Sequence, residues 1–248
     1  MLRSLWRQLG QSGLGLLFPL CCADCQADLP SDAARLHLCD GCRELLLSSS
    51  APACPQCGAT LPAVASSAAG CRECRRRSWR FDEVVRLGRY RDHLKAAILR
   101  TKQPPGELLA AALAELLWEL GRYRLTEWHP DVIIPIPMHW RRRLLRGTNC
   151  PDTLADCLSQ RLNVPVIPEL LRRQRNTRPQ GPLSAAARQQ NLRGAFRVPR
   201  AGSIAGARVI LADDILTTGS TASEAARVLK QAGASFVAVA VIARAENP

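Results

Sequence analysis

One stretch of the 248-residue chain limits its possible folds more than any other: Arg208-Val-Ile-Leu-Ala-Asp213-Asp214-Ile-Leu-Thr217-Thr218-Gly219-Ser220-Thr221. Val209 to Ala212 are apolar without interruption, the pattern of a strand buried on both faces of a parallel sheet. Asp213 and Asp214 end that strand. A hydroxyl-rich turn around Gly219 follows, and Ala222 to Ala232 then carries small and apolar residues at helical spacing. Strand, acidic pair, small-residue turn and helix, in that order, predict an α/β fold that holds its ligand at the carboxyl edge of an open sheet.

Each part of the stretch suits one part of a sugar phosphate. Backbone N–H groups from Thr217 to Thr221 fall at a helix N-terminus, where donors lack intrahelical partners and the positive dipole end favours an anion. Gly219 lets the backbone approach that anion closely, and the hydroxyls of Thr217, Thr218, Ser220 and Thr221 add donors. Carboxylates at the strand end accept hydrogen bonds from a vicinal diol. Phosphate on one side and diol on the other describe a ribose 5-phosphate. The plainer reading is a capping box, Thr221-Ala222-Ser223-Glu224, with the acids opening a turn. Capping does not require two carboxylates and four hydroxyls within nine residues. Neither a Gly-x-x-x-x-Gly-Lys-Ser/Thr loop nor a Gly-x-Gly-x-x-Gly fingerprint occurs. The segment resembles the signature by which type I phosphoribosyltransferases bind 5-phosphoribosyl 1-pyrophosphate (PRPP).

Cysteines supply the second pattern. Cys22-Ala-Asp-Cys25, Cys39-Asp-Gly-Cys42, Cys54-Pro-Gln-Cys57 and Cys71-Arg-Glu-Cys74 are four Cys-x-x-Cys knuckles, and thirteen residues separate both Cys25 from Cys39 and Cys57 from Cys71. A unit is therefore repeated in tandem. Two such turns complete a tetrahedral four-thiolate zinc site. A double zinc ribbon is predicted, with Cys22, Cys25, Cys39 and Cys42 on one ion and Cys54, Cys57, Cys71 and Cys74 on the other. Pairing the first knuckle with the third and the second with the fourth satisfies the spacing as well. Disulfides fit poorly with a PRPP-type site and no convincing export signal, since cytosolic thiols are kept reduced. Cys21 is a spare neighbour of Cys22, and Cys150 and Cys157 read as ordinary buried thiols.

Formal charge is +13 and the pI about 9.9, which favours polyanionic partners, either nucleic acid or phosphorylated metabolites. Two zinc ions on eight thiolates would bring the charge to about +9. The excess is arginine, with Lys95, Lys102 and Lys230 the only lysines. Arg75-Arg76-Arg77-Ser78-Trp79-Arg80-Phe81 interleaves bases with aromatics, which suits single-stranded nucleic acid and equally a solvated linker. At the amino terminus, Arg3 and Arg7 before Leu14 to Cys21 imitate a secretory signal, but glycines and Pro19 break the apolar run and it leads into the cysteines. An amphipathic leader is expected there. No stretch is apolar for long enough to span a bilayer.

The remaining segments predict a strand pair over 81–90, a helix over 92–101 presenting Arg100 and Lys102, and an amphipathic helix over 107–120. A buried strand over 132–137 is broken by Pro135 and Pro137, and Arg141, Arg142, Arg143 and Arg146 follow, where guanidinium forks suit pyrophosphate. A helix over 152–160, a short strand over 164–167 and a last buried strand over 236–243 complete the sheet. Between them 171–198, rich in Arg and Gln and including Arg188, reads as a lid that folds over a charged ligand. The domain reading is 1–80 for leader and ribbons and 81–248 for the α/β unit.

Taken together, the paired knuckles, the Ile134-Pro135-Ile136-Pro137 loop with Arg146-Gly147 and Asn149, the series Arg172, Thr177, Gln180, Ser184, Arg188, Asn191 ending in Gly194-Ala195-Phe196, and Asp213-Asp214 with Thr217-Thr218-Gly219 resemble the ComF family, also called ComF/GntX. Thr148 and Cys150 stand where an aromatic residue and a glutamine are expected. The resemblance implies a zinc-ribbon amino domain joined to a type I phosphoribosyltransferase-like domain, PRPP with Mg²⁺ as ligand, and a cytoplasmic role in competence or in use of external DNA, with a competence-machinery protein as partner. It implies that Asp213 and Asp214 hold the ribose hydroxyls, that Thr217, Thr218, Gly219, Ser220 and Thr221 hold the 5-phosphate, and that Arg146, Lys102 and the lid with Arg188 meet the pyrophosphate. Two function classes follow: phosphoribosyl transfer, or a nucleic-acid-binding factor whose sugar-phosphate site senses a ligand.

Overall fold

The computed structural model describes residues 20–30, 37–62, 71–137, 149–175, 192–199 and 202–246. Two short helices, α1 (Asp40–Leu47) and α2 (Arg72–Arg76), each begin at the second knuckle of a cysteine unit. After them come β1 (Glu83–Arg89), α3 (Asp92–Arg100), α4 (Glu107–Glu127), β2 (Val132–Pro135) and α5 (Cys150–Leu162). A minimal hairpin, β3 (Arg172–Arg173) with β4 (Phe196–Arg197), precedes the closing unit of β5 (Arg208–Leu216), α6 (Ser220–Gln231) and β6 (Phe236–Arg244).

β5 and β6 form the centre of a parallel sheet ordered β1-β6-β5-β2. Their uninterrupted apolar runs are required because both faces are covered. Side chains alternate between the two faces, as the two-residue period of a strand demands. Ile210, Ala212, Ala238, Ala240 and Ile242 pack with Leu113, Leu116 and Leu117 of α4 and Leu154 and Leu158 of α5. Val209, Leu211, Val237, Val239 and Val241 pack instead with Ala222, Ala225, Ala226 and Leu229 of α6 and with Phe196. The alanines of α6 allow that helix to lie close to the strands. The first cysteine unit, through Leu38, Cys42 and Leu46, shares the core of the α4 face.

The expected strand pair over 81–90 is one strand. Its outer edge bonds to the cysteine units: Val84 N–H donates to the Pro55 carbonyl at 2.8 Å, and Arg89 N–H to the Ser49 carbonyl at 3.2 Å. These units cover an edge that would otherwise be open. α4 runs seven residues beyond the expected Leu120, because Leu125 is buried and Gly121 gives room to Val85, whose Cγ1 would lie 2.6 Å from an added Cβ. The segment 164–167 makes a single parallel bridge, Val166 to Ile133, rather than a strand. Among the described residues no helix is long and apolar enough to cross a membrane. The leader lies outside the described residues.

Candidate functional site

β5 delivers Asp213 and Asp214 to the carboxyl edge of the sheet, and α6 begins six residues later. The two acids are locked together locally, since Asp214 N–H donates to Asp213 Oδ1 at 2.9 Å. Burial, and then the charge of Asp214, push the Asp213 carboxyl well above the usual carboxylate range. Lys102, in the turn after α3, places Nζ 2.8 Å from Asp214 Oδ2. Three segments far apart in sequence thus meet: the end of β5, the end of α3, and the N-terminus of α5, where Cys150 is buried. Burial and the nearby charge of Asp214 raise the Cys150 thiol to about 12, so it stays neutral and unreactive.

The hydroxylated turn enters α6 through a left-handed glycine. Gly219 caps α6 with φ +76°, a conformation that favours glycine. The Thr218 and Ser220 hydroxyls lie 2.8 Å apart, and Ser220 N–H points at Thr218 Oγ1 at 3.4 Å. No side chain caps the helix. The capping-box reading fails on Glu224, which turns away: it accepts from Gly194 N–H at 2.8 Å and pairs with Arg227 through two contacts of 2.8 and 2.7 Å. The helix start is therefore not closed by Glu224. Arg146 and Arg188 lie outside the described residues.

Arg100 and Lys102, read from sequence as one basic pair, diverge. Lys102 turns to the acids, while Arg100 donates to the backbone carbonyl of Asp24 at 2.5 Å and to its carboxylate. His93 Nε2 lies 2.5 Å from the same carboxylate. Asp24 sits inside the first knuckle, so this network ties the first cysteine unit to α3.

The sulfurs of Cys22, Cys25, Cys39 and Cys42 lie within 4.8 Å of one another, as do those of Cys54, Cys57, Cys71 and Cys74. Consecutive knuckles pair; the cross-braced alternative does not occur. Individual separations are 3.7 Å for Cys25 to Cys39, and 3.6 Å for both Cys54 to Cys74 and Cys57 to Cys71. A disulfide would bring sulfurs to about 2.05 Å. A tetrahedral ion bound at about 2.3 Å separates its sulfurs by about 3.8 Å, so the donor set and spacing both fit zinc. The repeat extends to backbone detail. Cys22 N–H bonds to Ala27 as Cys54 does to Ala59, Gln26 and Gly58 both take positive φ, and Cys39 and Cys71 both cap a helix. Although burial raises the Cys22 thiol, backbone N–H groups of Cys25, Cys39 and Asp24 hold it down to about 7. Cys21 is not the alternative ligand; its sulfur faces Asp28 Oδ1 at 3.7 Å.

Two residues of this region escaped sequence reading. Trp79, grouped there with a basic surface run, turns inward against the hydroxylated turn, and Arg244 at the end of β6 is buried behind it. Trp79 had a signal, since it follows a knuckle closely and precedes the buried Phe81; Arg244 had none.

The family model described as "Phosphoribosyl transferase domain" matches residues 153–247, which hold most of α5, the acid pair, the turn and the central strands. "Competence protein F" of Haemophilus influenzae is 32% identical over 228 residues, covering 90% of this chain and 96% of that protein. "DNA utilization protein YhgH" of Escherichia coli K12 is 35% identical over 194 residues, 77% of this chain and 83% of that one. "Competence protein ComFC" of Bacillus subtilis is 29% identical over 206 residues, 79% of each chain. Fold and site define a type I phosphoribosyltransferase-like α/β unit, an open parallel sheet with flanking helices, preceded by two four-cysteine clusters of zinc-ribbon type. The chain belongs to the ComF family.

Proposed function

We propose that this chain binds PRPP at the carboxyl edge of β5 and serves the uptake or use of DNA; its relatives are named for competence and for DNA utilization. The observation that carries the reading is the Lys102–Asp214 contact at 2.8 Å, which sets a cation inside the acid pair at the edge where the hydroxylated turn opens. Backbone N–H groups of Thr217, Thr218, Gly219, Ser220 and Thr221 take the 5-phosphate, Asp213 and Asp214 accept from the ribose hydroxyls, and Lys102, Arg146 and Arg188 meet the pyrophosphate. Mg²⁺, bound with PRPP, supplies charge neutralisation on the pyrophosphate. In a transfer reaction the bond from the anomeric carbon to pyrophosphate breaks as an acceptor bonds that carbon. The carboxylates then face a ribosyl centre that is becoming cationic, and the basic residues a departing anion. The clusters hold one structural zinc each, chemistry suited to a reducing cytoplasm. Domains divide at 80/81, with β1 the first strand of the sugar-phosphate unit. Titration calorimetry with PRPP and Mg²⁺ tests the reading. Saturable binding, competed by ribose 5-phosphate, is expected; no binding, or binding that ribose 5-phosphate leaves untouched, would overturn it.

A second reading has its own observation: Arg72, Arg76 and Arg80 are exposed around α2, a basic face suited to single-stranded nucleic acid and to handing a strand to a protein partner of the competence machinery. Since Trp79 and Phe81 face inward, such binding rests on phosphate contacts rather than stacking.

A further inference from the structure

We propose that the second cysteine cluster sets the geometry of the phosphate-binding turn, with Trp79 and Arg244 as the positioning residues that transmit it. The proposal rests on the sugar-phosphate reading of that turn. Trp79 belongs to both sides. It packs on the small core formed by Cys54, Cys57, Ala59, Cys71 and Cys74, and it stacks on buried Phe81 with ring centroids 5.9 Å apart. Its indole N–H donates to the Thr218 carbonyl at 3.2 Å. The ring also lies flush against Gly219, where an added Cβ would come within 2.4 Å of Nε1 and 2.8 Å of Cδ1.

Peptide planarity converts this contact into an orientation. The 218–219 bond is trans, so fixing the Thr218 carbonyl toward the indole aims the Gly219 N–H in the opposite direction, away from the ring. That donor lies at the centre of the set assigned to the 5-phosphate. One residue on, Arg80 N–H donates to Ser223 Oγ at 3.0 Å and ties the same segment to the first turn of α6.

Arg244 makes the second link. It is 3% exposed, and its Nε donates to the carbonyl of Cys57 at 3.2 Å while Nη1 donates to that of Leu216 at 2.9 Å. One guanidinium therefore spans a cluster ligand and the residue from which the turn departs. Four thiolates on a divalent ion carry a net charge of −2. Arg244 and the also buried Arg86 both lie within electrostatic reach of Cys57, and Arg86 Nε and Nη1 have no hydrogen-bond partner among the described residues. Glu246 supplies countercharge to both guanidiniums, and the loaded cluster adds a second source of it on the side where Arg244 meets Cys57. Without the ion, the knuckles that back Trp79 and bond Arg244 lose their crosslink. Coupling is reciprocal: if the ion tightens PRPP binding by some factor, PRPP tightens retention of the ion by the same factor.

The test uses the full chain and Trp79→Phe, which keeps an aromatic ring and removes the N–H donor. Zinc content, amide hydrogen exchange at 217–221 without ligand, and the PRPP Kd with Mg²⁺ are measured on each protein before and after chelation. In the loaded proteins, Trp79→Phe is expected to raise Kd about fivefold to tenfold and to speed exchange at 217–221, with zinc content unchanged. Chelation of the wild type is expected to speed the same exchange and weaken PRPP by tenfold or more, and to cost Trp79→Phe distinctly less, the non-additivity of a shared route. PRPP is expected to slow zinc loss to the chelator in the wild type. Unchanged exchange and Kd in loaded Trp79→Phe, or chelation effects that add in full to those of the substitution, would overturn the proposal. Should the wild type bind no PRPP, the sugar-phosphate reading falls by itself, and the exchange data still decide whether cluster and turn are coupled.

Discussion

Asp213 holds its proton to a higher pH than an ordinary carboxylate, because burial and Asp214 both oppose its charge. Its folded pKa lies above the unfolded value of about 3.9, so the stability it contributes is complete below that value and is lost as pH rises through the raised one. Asp213→Asn, which cannot ionise, is therefore expected to raise the thermal midpoint at neutral pH by a few degrees, on the order of 1 kcal/mol, and to flatten the loss of stability with rising pH in that range. Thermal melts of both proteins from pH 4 to 8 check this; a lower midpoint for the variant at pH 7 would contradict it. Gly219→Ala should act oppositely. With φ at +76° and Trp79 Nε1 2.4 Å from the new Cβ, it is expected to cost about 1–3 kcal/mol and to lower the midpoint, a change that circular dichroism reads directly. Gly219 was legible because its left-handed backbone favours that residue, and the placement of the acids and hydroxyls was legible because a strand end and a helix start bring them to one sheet edge. Lys102 was legible only as a basic residue near a helix end, since nothing local indicates that the turn after α3 swings its amine onto Asp214.

The cysteine units show which elements can be read from spacing. Equal gaps between knuckles identified the repeat, and the structure carries that repeat into backbone hydrogen bonds and helix caps. Which knuckles share an ion was open, since any two suitably placed turns can complete a tetrahedron. Metal analysis is expected to find two zinc ions per chain, one after Cys57→Ser and still two after Cys21→Ser; loss of an ion in the Cys21 variant would contradict the present ligand set. β5, α6 and β6 were legible for a different reason: strands buried on both faces have no polar positions to confuse their pattern. β1 was not, because its outer edge is covered by Pro55 and Ser49, which lie far earlier in the chain than the Val84 and Arg89 they bond. Glu224 misled by proximity. It stands at capping-box spacing, yet Arg227 and Gly194 N–H hold it elsewhere.

At the scale of the molecule, the two clusters reach opposite ends of the candidate site. Asp24 and Arg100 connect the first to α3, whose following turn carries Lys102, while Trp79 and Arg244 connect the second to the hydroxylated turn. The strongly basic charge favours anionic ligands of either size. If single-stranded DNA binds the face around α2, its affinity is expected to fall steeply with salt, and neutralising Arg72, Arg76 and Arg80 together should lower the log–log slope by about 2 to 3. Fluorescence anisotropy at several salt concentrations checks this, and a slope unchanged by the substitutions would remove that face as the binding surface. The account depends most on the acids and the turn gripping different parts of one phosphorylated pentose. Calorimetric titration of PRPP, and separately of inorganic phosphate, into the wild type and an Asp213→Asn, Asp214→Asn double variant tests this most directly. The account predicts that the variant loses PRPP affinity by about a hundredfold, roughly two hydrogen bonds, while phosphate binding is preserved; equal PRPP affinity in the two proteins would contradict it.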